Sequence, residues 1–166
     1  MPLSFLPRHI YSSLTAIRPG KLHELGVRLL MLDFDNTIVP YTTDEPTGEM
    51  RQWLQEAGES AVQICVVSNS KRGRVVEFCN TYGIDCITRA KKPFSRGIRE
   101  CLRKYEMPPA SAALVGDQIY TDVLGANCAG VRSILIPAIH NHNIWLKLRH
   151  VAELPFIWLA GKRREA

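Results

Sequence analysis

Hydrophobic residues are concentrated in five short runs along this chain. The runs cover residues 27–34, 62–67, 84–88, 112–115 and 131–136. Apolar runs of this length are typical of strands buried on both faces, as in parallel sheets. We therefore expect five interior strands.

Segments with helical periodicity lie between these runs. We predict helices over about 48–57, 73–82, 95–105 and 119–127, with Thr47 capping the first and Gly83 ending the second. Strands that alternate with helices favour parallel pairing through right-handed crossovers. The predicted fold class is α/β: one Rossmann-like three-layer domain over residues 1–166, with a mainly parallel five-stranded sheet, a core at about 25–137 and no cap domain.

The composition indicates the cellular compartment of the protein and leaves the predicted fold unchanged. The 166 residues, 46% hydrophobic and 22% charged, are typical of one globular domain. The five cysteines form no C-x-x-C pair, which indicates reduced thiols in the cytoplasm. No apolar run approaches the roughly 20 residues of a membrane span, and the first residues do not resemble a signal peptide. The sequence predicts a cytoplasmic protein.

The first strand ends in two acids, Asp33 and Asp35. In an extended segment the side chains of residues i and i+2 point to the same side, so both carboxylates can approach one point. Two carboxylates repel each other unless a cation lies between them, which predicts a divalent metal or a lysine nearby. A surface turn is the alternative, because Asp and Asn are frequent turn residues.

Further polar groups follow the second and third strands. Ser68 and Asn69 end the second strand, where they can bind a phosphoryl oxygen or cap the next helix. Lys92 precedes Pro93, which favours an extended backbone at the lysine and places it in a loop before the basic helix. Lys91 competes for the same role, and only the position relative to Pro93 favours Lys92.

The fourth strand ends in Gly116 and Asp117, and Asp122 follows just over one helical turn later. Asp117 meets Asp33 and Asp35 if the first and fourth strands are neighbours. Three acids at one point suit Mg²⁺, a hard cation that takes oxygen ligands. Because open α/β sheets bind ligands at the carboxyl ends of their strands, we expect the site at that edge.

The order of these groups is more specific than any one of them. D-x-D-x-T at 33–37 precedes Ser-Asn at 68–69, Lys-Pro at 92–93 and G-D-x-x-x-x-D at 116–122. In this order the chain resembles the haloacid dehalogenase (HAD) superfamily of phosphotransferases. Residues 7–11, Pro-Arg-His-Ile-Tyr, and the variant Asp-Phe-Asp-Asn-Thr-Ile-Val at 33–39 make it similar to the YqeG-type phosphatases and the related phosphatidylglycerophosphate phosphatases.

The resemblance implies a role for each matched residue. Asp33 would attack phosphorus and form an aspartyl-phosphate, and Asp35 would serve as general acid and then general base. Mg²⁺ would bind the Asp33 carboxylate, the Asp35 carbonyl and the Asp117 carboxylate. Asp122 would orient the lysine or a metal-bound water. Four further matches would bind phosphate: Thr37, Ser68, Asn69 and Lys92.

The intervals between these groups predict an open site. The chain from Thr37 to Ser68 has room for a flap and one helix, and the chain from Ser68 to Lys92 has room for a helix and a strand. Neither interval can hold a cap domain. We therefore expect a phosphate carried on something large, such as a protein, a nucleic acid or a lipid at a membrane surface.

The two ends of the chain bear on that choice. Residues 1–23 carry basic side chains and no acid, and residues 145–164 mix apolar, aromatic and basic residues. Such a mixture suits peripheral contact with anionic lipid at the inner face of the membrane. A C-terminal helix packed on the sheet is the alternative. His140, His142 and His150 are expected to be surface residues rather than a metal site.

The sequence leaves three functions open. The first is a Mg²⁺-dependent phosphomonoester phosphatase, with phosphatidylglycerophosphate as a candidate substrate. The second is a regulatory or binding module that keeps the fold but turns over little. The third is a phosphatase acting on nucleic acid or protein; the net charge of +5 and the basic helix favour nucleic acid, but no nucleic-acid motif accompanies them. The oligomeric state is not predicted.

Overall fold

The observed fold confirms the α/β class and adds one strand to the predicted sheet. A computed structural model describes residues 4–71 and 73–139. The strands are β1 (His9–Ile10), β2 (Leu29–Leu32), β3 (Gln63–Val67), β4 (Asp85–Ile87), β5 (Ala112–Gly116) and β6 (Arg132–Leu135). All pair in parallel in the order β1-β6-β5-β2-β3-β4. The carboxyl ends of all six strands therefore lie at one edge of the sheet.

Helices connect these strands close to the predicted positions. They are α1 (Pro19–Glu24), α2 (Gly48–Gly58), α3 (Gly73–Tyr82), α4 (Arg96–Lys104) and α5 (Leu124–Ala129). Thr47 caps α2 as predicted, since its hydroxyl accepts a hydrogen bond from the Met50 amide at 3.2 Å. Gly83 follows α3 with φ of 64°, a left-handed conformation that glycine adopts without a Cβ penalty.

Three details differ from the prediction. The sheet has six strands rather than five, because β1 pairs with β6 (His9 opposite Ile134) although it is too short to show a hydrophobic period. Helix α1 was not predicted, since six residues give too little periodicity. The predicted helix over 119–127 is a π-helical turn (Ile119–Val123) followed by α5.

Two hydrophobic layers enclose the sheet. One layer joins β2 and β3 to α2 and α3, and includes Trp53 and Phe78. The other contains Ile98 of α4 and Ala126 of α5. The segment before β2 belongs to the first layer: Ile17 is buried, and its carbonyl accepts a 2.7 Å hydrogen bond from the Trp53 indole.

The structure describes the two ends of the chain to different extents. The described N-terminal residues pack on the core, whereas the basic-aromatic segment at 145–164 and the three histidines His140, His142 and His150 lie outside the described residues. Among the helices of residues 4–71 and 73–139, none has the length and apolarity needed to cross a membrane.

Candidate active site

Asp33 lies directly after β2, at the middle of the carboxyl edge of the sheet. Its amide donates to the Val115 carbonyl at 2.9 Å, which continues the pairing of β2 with β5. This bond fixes Asp33 beside the end of β5, where Gly116 and Asp117 stand. The first and fourth predicted strands, now β2 and β5, are therefore neighbours as the sequence analysis required.

Lys92 is the cation of the cluster. Its Nζ lies 2.6 Å from Asp33 Oδ1 and 2.7 Å from Asp122 Oδ1, and its side chain is 1% exposed. Lys91, the competing candidate, is exposed and takes no part in these ion pairs. The structure thus places Lys92 rather than Lys91 beside Asp33.

Burial and charge oppose each other at the Asp33–Lys92 pair. Burial raises the pKa of Asp33 to about 7, against the attraction of Lys92, and the negative charge of Asp122 adds to the rise. Burial alone would lower the pKa of Lys92, but the carboxylates of Asp122 and Asp33 outweigh it and raise that pKa above its usual value. Lys92 therefore carries its charge at neutral pH.

Gly116 allows Asp122 to reach the lysine. A Cβ at Gly116 would meet the Asp122 Cβ at 2.6 Å and would overlap its carboxyl group, so only glycine fits at this position. The Gln118 amide donates to Asp122 Oδ2 at 3.1 Å, while Oδ1 faces Lys92. The π-helical turn over Ile119–Val123 thus holds an acid that supports Lys92.

Carboxylate oxygens of Asp33, Asp117 and Asp122 lie within 4.8 Å of one another. Among the described residues, Lys92 is the one cation paired within this group of three carboxylates, which leaves excess negative charge in a buried cluster and is costly without a further cation. Oxygen donors of this type suit Mg²⁺. The donor set therefore fits a hard divalent cation. Both oxygens of Asp122 are engaged, one by Lys92 and one by the Gln118 amide, whereas Lys92 pairs with Asp33 through Oδ1, so Asp33 and Asp117 are favoured over Asp122 as ligands.

Asn69 contacts the protein rather than the centre of the cluster. Its Nδ2 donates to the Lys92 carbonyl at 2.8 Å, and its Oδ1 accepts from the Lys92 amide at 2.7 Å. Both polar atoms of the amide are thus bonded to the Lys92 backbone, which fixes the loop that carries the lysine. Its contribution to phosphate binding stays a prediction, with one N–H remaining for it.

The two predicted hydroxyl groups are both buried at the strand ends. The Ser68 hydroxyl accepts from the Ser70 amide at 3.0 Å, and as an acceptor it retains its proton for donation. The Thr37 hydroxyl is buried and has no hydrogen-bond partner among the described residues. A buried hydroxyl without a partner is costly, so Thr37 is suited to bind an oxygen that enters the site.

Asp35 faces a residue that the sequence analysis missed. Arg74, in the first turn of α3, places Nη2 2.6 Å from Asp35 Oδ1 and Nη1 3.0 Å from Asp44 Oδ1. A cation in the first turn is locally unfavourable because the amino end of a helix carries partial positive charge. That mismatch was the available signal that Arg74 has a tertiary partner.

The loop after β2 depends on Asn36. Its φ of 61° is left-handed, which asparagine tolerates better than most residues, and its Oδ1 accepts from the Tyr41 amide at 3.1 Å. The left-handed backbone and this hydrogen bond account for asparagine at position 36. The same edge of the sheet carries two exposed aromatic rings, Tyr41 in this loop and Phe94 after Lys92.

Comparisons with known proteins agree with this geometry. The family described as HAD-hydrolase-like matches residues 89–138. The chain is 33% identical over 132 residues to the probable phosphatase YqeG of Bacillus subtilis, covering 80% of this chain and 77% of that protein.

Solved structures support the same fold. An uncharacterised protein from Listeria monocytogenes aligns with a TM-score of 0.54 at 16% identity, over 78% of this chain and 98% of its own. The cobalt-bound deoxy-D-mannose-octulosonate 8-phosphate phosphatase of Haemophilus influenzae aligns with a TM-score of 0.55 at 11% identity, over 78% and 77%. With the identity to the Bacillus subtilis protein, the conclusion is that this chain belongs to the HAD-like hydrolases, in the family that includes YqeG.

Proposed function

We propose that this protein is a Mg²⁺-dependent phosphatase that hydrolyses a phosphomonoester through an aspartyl-phosphate on Asp33. The observation that carries the proposal is the buried carboxylate of Asp33, held 2.6 Å from Lys92 beside Asp117. A carboxylate fixed next to a permanent cation at the open edge of an α/β sheet suits nucleophilic attack on a phosphate group. The name of the Bacillus subtilis relative, a probable phosphatase, supports the same activity.

Both half-reactions use Asp33 and Asp35. A carboxylate oxygen of Asp33 bonds to phosphorus while the bond to the leaving oxygen breaks, and Asp35 gives its proton to that oxygen. Asp35 then takes a proton from water, whose oxygen attacks phosphorus and breaks the bond to Asp33. Phosphate is released and both acids return to their starting states.

Mg²⁺ would be held by the carboxylates of Asp33 and Asp117 and the carbonyl of Asp35. When bound, it supplies positive charge that offsets the phosphoryl oxygens. Lys92 and the Ser68 and Thr37 hydroxyls would contact the same oxygens. The raised pKa of Asp33, caused mainly by burial, also favours a cation, since a further positive charge would keep the nucleophile ionised at neutral pH.

A phosphate carried on an anionic lipid, such as phosphatidylglycerophosphate, fits the surroundings of the site best. In the described chain only a loop and α2 separate β2 from β3, and only α3 separates β3 from β4, so no inserted domain covers Asp33. Phe94 is 74% exposed, and the same loop between β4 and α4 carries the exposed cations Arg89 and Lys91. Aromatic and basic side chains together suit a lipid headgroup surface.

The test is phosphate release from phosphatidylglycerophosphate in mixed micelles and from para-nitrophenyl phosphate. The wild-type protein should turn over both with Mg²⁺ and neither with a chelator, and Asp33→Asn should be inactive. Retained activity in Asp33→Asn would contradict the mechanism. Activity on the soluble ester alone would contradict the lipid substrate, and tight beryllofluoride binding without turnover would favour a regulatory module.

A further inference from the structure

Arg74 connects three separate parts of the site. One end of its guanidinium contacts Asp35, just after β2, and the other contacts Asp44 and, at 3.2 Å, the carbonyl of Tyr41. Tyr41 and Asp44 belong to the loop over residues 40–46, which we call the flap. Helix α3, which carries the arginine, follows the strand that ends in Ser68. One side chain thus joins Asp35 to the flap.

The position of the guanidinium is strongly determined. The Arg74 side chain is 13% exposed, and its Cζ lies 5.2 Å from the centre of the buried Phe34 ring and 5.8 Å from the Tyr41 ring. Planar guanidinium groups stack on aromatic faces while bonding carboxylates through their edge. Ion pairs to two acids and contacts with two rings leave it little freedom.

The two carboxylates that Arg74 contacts differ in their exposure to solvent. The Asp35 side chain is 19% exposed, whereas the Asp44 side chain is 62% exposed. An exposed ion pair contributes little by itself because water and salt screen it, but a partly buried one restricts the orientation of the carboxylate. Asp35 is therefore the partner whose geometry Arg74 determines, and the flap is held to it more weakly.

We propose that Arg74 is a positioning residue that orients the Asp35 carboxylate and latches the flap beside it. The proposal rests on the proposed function, in which Asp35 transfers the protons of both half-reactions. Arg74 Nη2 donates a hydrogen bond to Oδ1 of Asp35. Oδ2 is then the oxygen through which Asp35 gives a proton to the leaving group and later takes one from water.

This role predicts a dependence on the leaving group. Para-nitrophenolate leaves without a proton, so transfer of its phosphate to Asp33 needs little help from Asp35. A glycerol alkoxide is a poor leaving group and requires that proton. Hydrolysis of the aspartyl-phosphate requires Asp35 as a base with either ester, so that step should be slowed for both.

The kinetic experiment compares Arg74→Met with the wild type on glycerol phosphate and para-nitrophenyl phosphate. We expect kcat/KM for glycerol phosphate to fall about tenfold or more. For para-nitrophenyl phosphate, kcat/KM should stay within about twofold while kcat and KM fall together, because phosphoenzyme accumulates. Arg74→Lys keeps the charge and should recover part of the loss.

The control is Arg51→Met, which removes an exposed arginine of α2 and should match the wild type on both esters. A lower fraction of folded enzyme would reduce kcat equally for both esters and leave each KM unchanged. Equal losses of kcat/KM on the two esters, or no loss, would overturn the orienting role of Arg74.

A second measurement does not depend on turnover. Amide hydrogen exchange at Tyr41 and Thr43, whose amides bond to Asn36 Oδ1 and the Pro40 carbonyl, reports opening of the flap. We expect exchange about fivefold faster or more in Arg74→Met and unchanged in Arg51→Met; equal exchange in all three proteins would overturn the latch. A wild type inert on both esters would contradict the proposed function instead, and exchange would still decide whether Arg74 holds the flap.

Discussion

At the scale of single residues, the site contains buried ion pairs, and removing one charge of such a pair destabilises the protein. Lys92 is enclosed by Asp33 and Asp122, and both ion pairs are shorter than 3 Å. Removing one partner of a buried ion pair leaves the other charge unpaired in a medium of low polarity. The local charge balance therefore determines stability as well as chemistry.

Lys92→Met should destabilise the protein by about 3 kcal/mol, because it leaves two buried carboxylates that repel each other. Urea denaturation in the presence of a chelator measures this loss. The double variant with Asp122→Asn should recover part of it, since one of the two negative charges is gone. A double variant less stable than the single one would contradict this account of the cluster.

Gly116→Ala tests the close approach of Asp122. The added Cβ would collide with a side chain that cannot move without leaving Lys92. We expect a loss of about 1–3 kcal/mol, typical of overpacking, together with reduced turnover. Gly58→Ala at the end of α2 has open space around its Cβ and serves as the control. Equal stability of the two variants would contradict the steric requirement.

At the scale of elements, the loop between β4 and α4 is fixed from both sides. Asn69, at the end of β3, bonds the Lys92 backbone, and Gly97 of α4 packs so closely on Ala90 that a Cβ there would overlap it. The C-terminal end of α4 contacts β4, the edge strand that precedes this loop, because Lys104 Nζ lies 2.7 Å from Asp85 Oδ2. Both ends of α4 thus help to place Lys92.

The Asp85 pair predicts a small dependence of stability on pH. The hydrogen bonds from Lys104 and then Tyr105 hold the pKa of Asp85 below its usual value. A lowered folded-state pKa stabilises the fold above the unfolded pKa of about 4, and this contribution is lost as pH falls through the folded value.

Asp85→Asn should accordingly lower the free energy of unfolding by about 0.5 kcal/mol at neutral pH, a small value because the pair is half exposed. The difference from the wild type should shrink below about pH 4, and added salt should reduce it. Denaturation at several pH values measures this. Glu100→Gln, at an exposed position of α4, is the control, and a difference that grows with acid would contradict the assignment.

At the scale of the whole molecule, the chemistry is confined to one edge of the sheet. The carboxyl ends of β2, β3 and β5 bring Asp33, Ser68 and Asp117 together, and the loop after β4 adds Lys92. The rim of this edge carries the exposed ring of Phe94 on a loop that Asn69 fixes. An exposed aromatic ring at this edge suits contact with a lipid surface that meets the carboxyl edge of the sheet.

Phe94→Ser should weaken binding to vesicles containing phosphatidylglycerol by about tenfold, because burial of a phenyl ring in the lipid headgroup region is lost. Its kcat/KM for para-nitrophenyl phosphate should be unchanged. Leu25→Ser removes another exposed apolar residue, 41% exposed at the end of α1, and is the control. Co-sedimentation with vesicles measures both, and equal binding by the two variants would contradict a lipid contact at Phe94.

Local patterns in the sequence were sufficient to predict part of this fold and of its site. Buried strands appear as apolar runs, so β2 to β6 were placed within about two residues. The acids at 33, 35 and 117 follow strand ends, the lysine at 92 precedes a proline, and the order of these residues indicated the chemistry. Residues 9–10 gave no such signal, since a two-residue strand exists only through its pairing with β6.

Tertiary structure alone decided which side chains meet across the sheet. The two hydrogen bonds between Asn69 and the Lys92 backbone, 23 positions away, had no signal in the sequence, and the phosphate contact of Asn69 stays a prediction. Arg74 was not identified, because its partner Asp35 is 39 positions distant and nothing local joins them. Hydrophobic period is a property of neighbours in the chain, whereas an ion pair depends on which strands become neighbours in space. Because β2 and β5 are neighbours, the acidic end of β2 belongs to a buried Asp33–Lys92–Asp122 cluster, and the Asp35–Arg74 ion pair accompanies it.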